Sequence, residues 1–300
     1  MQSEDDGKIT IHLAGIRVWK ACFDAIRSVT STTQSSHPIP LVFSHTSVST
    51  AVFDSHRSCI ANLNLEVETE NIGPQTTYRV VVQSDLIAAA IKMCREENDV
   101  AIFYSHLSPS PKLVFVETLA SGQIFQTDLE ILDVDVDDPP RMTATEMLRL
   151  PFSIDMELTI LRAILECAAL PEVSADTIDI SVSQSQNSPT EIVNELAVFV
   201  NGGEGKLKRR FRFKTIHVDA QDAMQMDVDE SADVDVTGDT NKISSLKIAT
   251  KYLQPFVKVL QPQKIRLRIG MEAPLFLHYS ISEESFLSIL VMPRLADEHA

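Results

Sequence analysis

The chain is short of several things, and each shortage narrows what it does. No stretch approaches the roughly 18 uninterrupted apolar residues a membrane-spanning helix needs, and the opening MQSEDDGKIT is acidic where a secretory signal would be basic and then apolar. A soluble intracellular protein with no membrane partner is expected. Glycine is scarce, nine in 300 residues, and no GxxxxGK[ST] or GxGxxG loop is present to cradle a phosphate. HExxH and GxSxG are absent too. The four cysteines, Cys22, Cys59, Cys94 and Cys167, sit singly in apolar segments with no CxxC pair, the pattern of reduced core residues. Basic residues are the minority, 26 against 42 acidic, for a net charge of −16. The molecule as a whole repels polyanions, so any contact with nucleic acid must use a local basic surface.

Partial motifs do not fill the gap. His56 and Cys59, three apart in an alternating segment, point to opposite faces of a strand. Asp233, Asp235, Thr237 and Gly238 copy the first half of a calcium loop, but Ser244 stands where the bidentate glutamate belongs. The aspartates of DVDVDD lie in an exposed segment without burial to shift a pKa. No enzyme, metal or cofactor is expected.

What is present is a core, 44% hydrophobic residues, arranged in a pattern that runs twice. KITIHLA alternates like a strand. GIRVWKACFDAIRSVTS follows with Ile16, Trp19, Phe23, Ile26 and Val29 at helical spacing. LVFSHTSVSTAVFD, SCIANLNLEVE and TTYRVVV read as strands, SDLIAAAIKMCREEND as a helix capped by Ser84 or Asp85, and VAIFYSH, KLVFVETLA and QIFQTDLEILD as strands. The order then restarts: MLRLPFS strand, DMELTILRAILECAAL helix, TIDISVSQS, ELAVFVN and KRRFRFKTIHV strands, SSLKIATKYLQPFVKVL helix, and KIRLRIGM, APLFLHYSI and FLSILVMP closing strands. The class is α+β, a structural repeat of about 140 residues. The domains read as 1–132 and 143–300, joined by 133–142 (DVDVDDPPRM), whose four aspartates and two prolines fit an exposed connector. Between Asp219 and Asp239 eight acidic residues occur with no lysine or arginine, so 219–239 reads as a disordered acidic insertion.

The basic residues fall on the expected helices: Arg17, Lys20 and Arg27; Lys92 and Arg95; Arg162; and Lys247, Lys251 and Lys258. At 100° per residue Lys20 shares a face with Arg27, and Lys251 with Lys247 and Lys258. Four basic stripes on one surface would hold phosphate backbones without reading bases. A second cluster, Lys206, Lys208, Arg209, Arg210, Arg212 and Lys214, alternates with Leu207, Phe211 and Phe213. It reads as a strand with an exposed basic face, a nuclear localisation signal or an extra DNA contact.

Two tandem domains with basic helix faces and an acidic connector resemble the eukaryotic-type DNA sliding clamps, the proliferating cell nuclear antigen (PCNA) family. SLKIATKYLQPFVKVL resembles that family's last helix, EAPLFLHYSI with FLSILVMPRLADE its closing strands and acidic tail, FDSHRSCIANLNL the strand beneath its partner pocket, and LEILDVDVDD the start of its interdomain connector. The resemblance implies a non-enzymatic homotrimeric ring around double-stranded DNA in the nucleus, with helices lining the channel. It implies docking of DNA polymerase, clamp loader and repair proteins through a glutamine-and-aromatic peptide motif, the PIP box. The peptide site would include Phe53, Asp54, Ile60, Pro139, Met142, Pro274, Leu290, Val291, Met292 and Pro293. Subunits would meet along Leu119 to Leu132 and Thr177 to Ser185. The chain departs from the family in its connector (Asp138, Pro139, Pro140, Arg141), in Leu290 where an aromatic is usual, in Arg57 where histidine is common, and in Pro255, which should kink the last helix. The alternative is a subunit of a heterotrimeric DNA-damage checkpoint clamp.

Overall fold

The computed structural model describes residues 7–30, 37–139, 152–188, 191–201, 208–218, 226–227, 241–254, 257, 264–269 and 274–292. The chain forms two compact units. The first comprises Met1–Arg141, Lys258–Gln263 and His278–Ile289, the second Met142–Val257, Lys264–Leu277 and Leu290–Ala300. The division is thus not linear in sequence. Two late segments count with the first unit.

In the first unit the elements run β1 (Lys8–His12), α1 (Ile16–Thr30), β2 (Pro38–Phe43), β3 (Ser47–Phe53), β4 (Cys59–Glu66), β5 (Glu68–Glu70), β6 (Tyr78–Gln83), α2 (Ser84–Met93), β7 (Asp99–Ser105), β8 (Lys112–Thr118) and β9 (Ile124–Glu130). One sheet has the order β5-β1-β7-β8-β9, and β4-β3-β2-β6 are neighbours in another. Pairing between them is antiparallel. Helix α1 starts after Gly15, whose φ of 62° falls in the left-handed region open to glycine. Its apolar stripe is buried, with Trp19 and Phe23 stacked at 5.8 Å between centroids and 5° between planes. Such a pair fixes the helix by area first and by ring geometry second. α1 packs on β3 and β4, α2 on β6 and β9, and the two helices pack on each other.

The expected cap of α2 is corrected. Gln83 occupies the cap position without a side-chain bond, and Ser84 is the first helical residue. The Ser84 amide bonds the His37 carbonyl at 3.0 Å, which ties the position to the end of the β2–β6 pair, and its buried hydroxyl makes no bond.

The second unit contains β10 (Phe152–Glu157), α3 (Leu158–Ala169), β11 (Thr177–Ser188), β12 (Glu191–Asn201), β13 (Lys208–Val218), β14 (Met226–Asp227), β15 (Asn241–Ala249), a 3-10 turn (Thr250–Tyr252) and β16 (Lys264–Ile269). β17 (Leu275–Ser280) and β18 (Phe286–Val291) are divided between the units at Leu277 and Ile289. One sheet has the order β14-β13-β12-β11-β15. β10 pairs with β16, where Arg266 grips Asp155 with two bonds of 2.8 and 3.2 Å.

Several expectations change here. Asp155–Glu157 belong to β10, and the second unit's first helix begins at Leu158. Residues Ser244 to Ala249, expected to open the last helix, form β15 and pair with β11 from Val182↔Ser244 to Thr177↔Ala249. The segment carries both periods, Leu246 and Ile248 two apart and Ala249 and Leu253 four apart, and cross-strand pairing decides between them. Thr177 to Gln184 is bonded to β15 on one side, and from Ile178 on to β12 on the other, so it has no free edge for a second subunit. Within the acidic insertion Met226 and Asp227 form a short strand against Thr215 and Lys214. The rest of that insertion, Pro255 with its expected kink, and all of MLRLPFS but Phe152 and Ser153 lie outside the described residues. No helix among those described is long and apolar enough to cross a membrane.

Candidate nucleic-acid and peptide interfaces

On α1 Arg17 and Arg27 are exposed and Lys20 and Asp24 half-buried. They recur at i, i+3, i+7 and i+10, which places them on one face. Asp24 lies 3.7 Å from Arg27, a loose exposed pair of small energetic weight. Lys92 is exposed in the last turn of α2, where a cation complements the helix dipole. Arg95 lies beyond that helix, which ends at Met93, and not on it as expected. Glu117, 8% exposed on β8, holds the turn by accepting the Arg95 amide at 3.0 Å and the Asn98 side chain. The Arg95 side chain is thereby left in solvent. Burial pushes the neighbouring Cys94 thiol up, Glu117 adds to the rise, and the Lys20 ammonium pulls against it. Lys20 and the α2–β7 turn therefore share one neighbourhood.

The second unit does not repeat this arrangement. The exposed face of α3 carries Thr159, Ala163 and Glu166. Arg162 is half-buried, its Nη2 3.5 Å from the Val257 carbonyl. Lys247 is exposed on a strand, so the helical stripe expected of Lys247, Lys251 and Lys258 does not exist in that form. Lys251 is exposed in the 3-10 turn with its Nζ 4.6 Å from the Tyr252 ring centre, and Lys258 lies outside the described residues. The KRRFRFKTIHV strand is present as β13. Part of its charge is met within the sheet, where Glu195 takes Arg210 at 3.2 Å and Arg212 at 3.3 Å and Arg210 stacks on Phe199.

The residues expected to receive a peptide fall into three groups. In the first unit Phe53 is half-buried at the end of β3, Asp54 is 5% exposed, Ile60 is 2% exposed, and Pro139 is buried. In the second, Pro274 is half-buried, Leu290 and Val291 are buried, and Met292 is exposed. Met142 and Pro293 lie outside the described residues. Ile60 and Val291 are thus core side chains in this conformation, and the accessible members are Phe53, Pro274 and Met292.

Asp54 builds the β3–β4 turn. Its Oδ1 accepts the Ser58 amide at 2.6 Å and the Cys59 amide at 2.8 Å, and its carbonyl accepts the Arg57 amide at 3.0 Å. A carboxylate accepting main-chain amides stands in for ladder partners that those amides lack in the turn. Arg57 takes a left-handed φ of 55° and carries its guanidinium carbon 5.3 Å from the Phe53 ring centre. The connector lies against this unit: the Leu132 amide bonds Val81 at 2.8 Å, Arg79 bonds the Val136 carbonyl at 2.7 Å and Asp138 at 3.2 Å, and Arg57 bonds Asp137 at 2.8 Å. Sequence reading marked Arg57 only as a departure and missed Arg79. The signal was an alternating acidic run that needed basic partners.

No family model and no curated protein matches the sequence. Solved structures do. The crystal structure of proliferating cellular nuclear antigen from Entamoeba histolytica matches with a TM-score of 0.66 at 10% identity, covering 96% of this chain and 99% of that one. PCNA from Thermococcus kodakaraensis matches with a TM-score of 0.64 at 13% identity, covering 95% and 100%. The fold is that of PCNA. It has the α+β class, helices and antiparallel sheets expected from the sequence, and at this identity the likeness lies in the order of elements and not in shared side chains. Among the described residues no group of three or more His, Cys, Asp or Glu side chains gathers to hold a metal.

Proposed function

We propose that this chain is a non-enzymatic DNA sliding clamp, three copies of which close a ring around duplex DNA in the nucleus and tether polymerases and repair proteins. The observation that carries this reading is the match to PCNA structures over nearly the whole of both chains. Lys20, Arg27, Lys92, Arg95 and Lys251, with Arg17, supply exposed or half-exposed charge for phosphates. Contacts of this kind position a duplex without reading its sequence. For ring closure two of the strands at sheet edges suit each other, β9 and β13. β9 is the last strand of its sheet and exposes Ile124 and Phe125 at 64% and 52%, and among the described residues β13 is covered beyond β12 only at Lys214 and Thr215. The acidic Asp128 and Glu130 of β9 complement the arginines of β13, and pairing of open edges removes the aggregation hazard they pose.

Reversing Lys20, Arg27 and Lys251 to Glu together tests the reading. Loading onto duplex DNA and polymerase stimulation should fall, and activity equal to wild type would overturn it. One observation favours the heterotrimeric checkpoint clamp as a second reading: the face of α3 that corresponds to the basic face of α1 carries one cation, the half-buried Arg162 turned toward the Val257 carbonyl, beside the exposed Glu166. In a ring of unlike chains other subunits would supply that charge, and this chain alone would stay a monomer.

A further inference from the structure

We propose that Arg57, seated over the Phe53 ring, is a carboxylate-receiving site that Asp137 of the chain's own connector occupies, and that an acidic segment of a partner peptide docks by taking Asp137's place. The proposal rests on reading this face as a partner-binding surface. The receiving group is built in advance. Asp54 fixes the turn through three main-chain bonds, and the left-handed φ at Arg57 sends its side chain back across Phe53. A planar guanidinium held on a ring presents its N–H fork in a set direction, the geometry carboxylates fit.

The occupant is presented just as deliberately. Arg79 takes the Val136 carbonyl and the Asp138 carboxylate, the Leu132 amide bonds Val81, and Pro139 is buried. Positions 136 and 138 therefore face Arg79, and Asp137 between them reaches Arg57 at 2.8 Å. The Asp137 and Arg57 side chains remain 77% and 69% exposed. An ion pair so open to water is weak and exchangeable. An incoming carboxylate reaches Arg57 without unfolding anything, while the Arg79 contacts keep the connector in place.

Two fluorescein-labelled peptides of equal length, each with an aromatic pair, one followed by three Glu and the other by three Gln, are titrated by anisotropy against full-length wild type, Asp137→Asn and Arg57→Gln. The acidic peptide should bind Asp137→Asn about two- to fivefold tighter than wild type, the Gln peptide should bind both alike, and Arg57→Gln should not distinguish the peptides. An acidic preference unchanged in Asp137→Asn, or kept in Arg57→Gln, overturns the proposal. The NMR signals of the Arg57 guanidinium read the latch without any peptide. They should move in Asp137→Asn, and unchanged signals overturn the latch. If neither peptide binds any form while these signals move, the partner-surface reading falls and the displacement step with it, whereas the clamp reading is judged separately by oligomeric mass.

Discussion

Helices α1 and α3 hold matching places, each following the first strand of its unit, yet they show solvent different faces. α1 presents the exposed Arg17 and Arg27 with the half-buried Lys20 and Asp24, and α3 presents the exposed Thr159, Ala163 and Glu166 with the half-buried Arg162. Their buried stripes are alike in kind: Trp19, Phe23 and Ile26 in one, Leu161, Ile164 and Leu165 in the other. The apolar stripe fixes where a helix lies, and the opposite face is free to carry charge or not. The two halves of one repeat thus need not share a task, and under the proposed clamp reading the first unit offers more of the charge for phosphates.

The largest effect should come from the stripe that makes the helices alike. Trp19→Ala removes a stacked, 2% exposed ring and should cost about 3–5 kcal/mol in urea unfolding, whereas Ala163→Ser on the exposed face of α3 should stay within about 0.5 kcal/mol. Equal costs would break the comparison. Next is the β3–β4 turn. Asp54→Ala strands two amide donors and should cost about 1–3 kcal/mol, read by the same titration.

Burial pushes the Cys22 thiol and the Tyr279 hydroxyl of the first unit up to about 12. The folded state favours their neutral forms, so this stabilisation is complete below pH 9, the ordinary value of the thiol, and is lost as pH rises toward about 12. Melting temperature followed from pH 8 upward should decline above pH 9, less steeply in Cys22→Ala measured against its own neutral-pH value. A flat profile would contradict the burial.

The smallest effect is electrostatic. Lys92→Glu should lower the slope of log K against log salt for duplex binding by about one, because one fewer phosphate is neutralised, and Glu166→Lys should raise it by no more than that. A rise from Glu166→Lys larger than the fall from Lys92→Glu would reverse the roles of the two units.

Much of this was legible in the sequence because the signals are local. Ile16, Trp19, Phe23 and Ile26 recur at helical spacing, and KIRLRI alternates at period two, so α1 and β16 lie where their patterns put them. What local pattern could not decide was competition between patterns. SSLKIATKYL satisfies a helix and a strand, and only β11, more than 60 residues earlier in the chain, selects β15. The basic residues were legible as charge but not as placement: Arg95 falls past the end of its helix, and Arg162 turns toward the Val257 carbonyl. The Arg57–Asp137 pair joins positions 80 apart, and nothing in a single sequence ties them.

The most direct test of the clamp reading is the mass of the purified chain by light scattering on a sizing column at low micromolar concentration. A mass of roughly 100 kDa, three times the 33.3 kDa chain, is the predicted result and fits a closed ring of three copies. A mass near one chain would contradict self-assembly into a homotrimer and turn the search to unlike partner subunits.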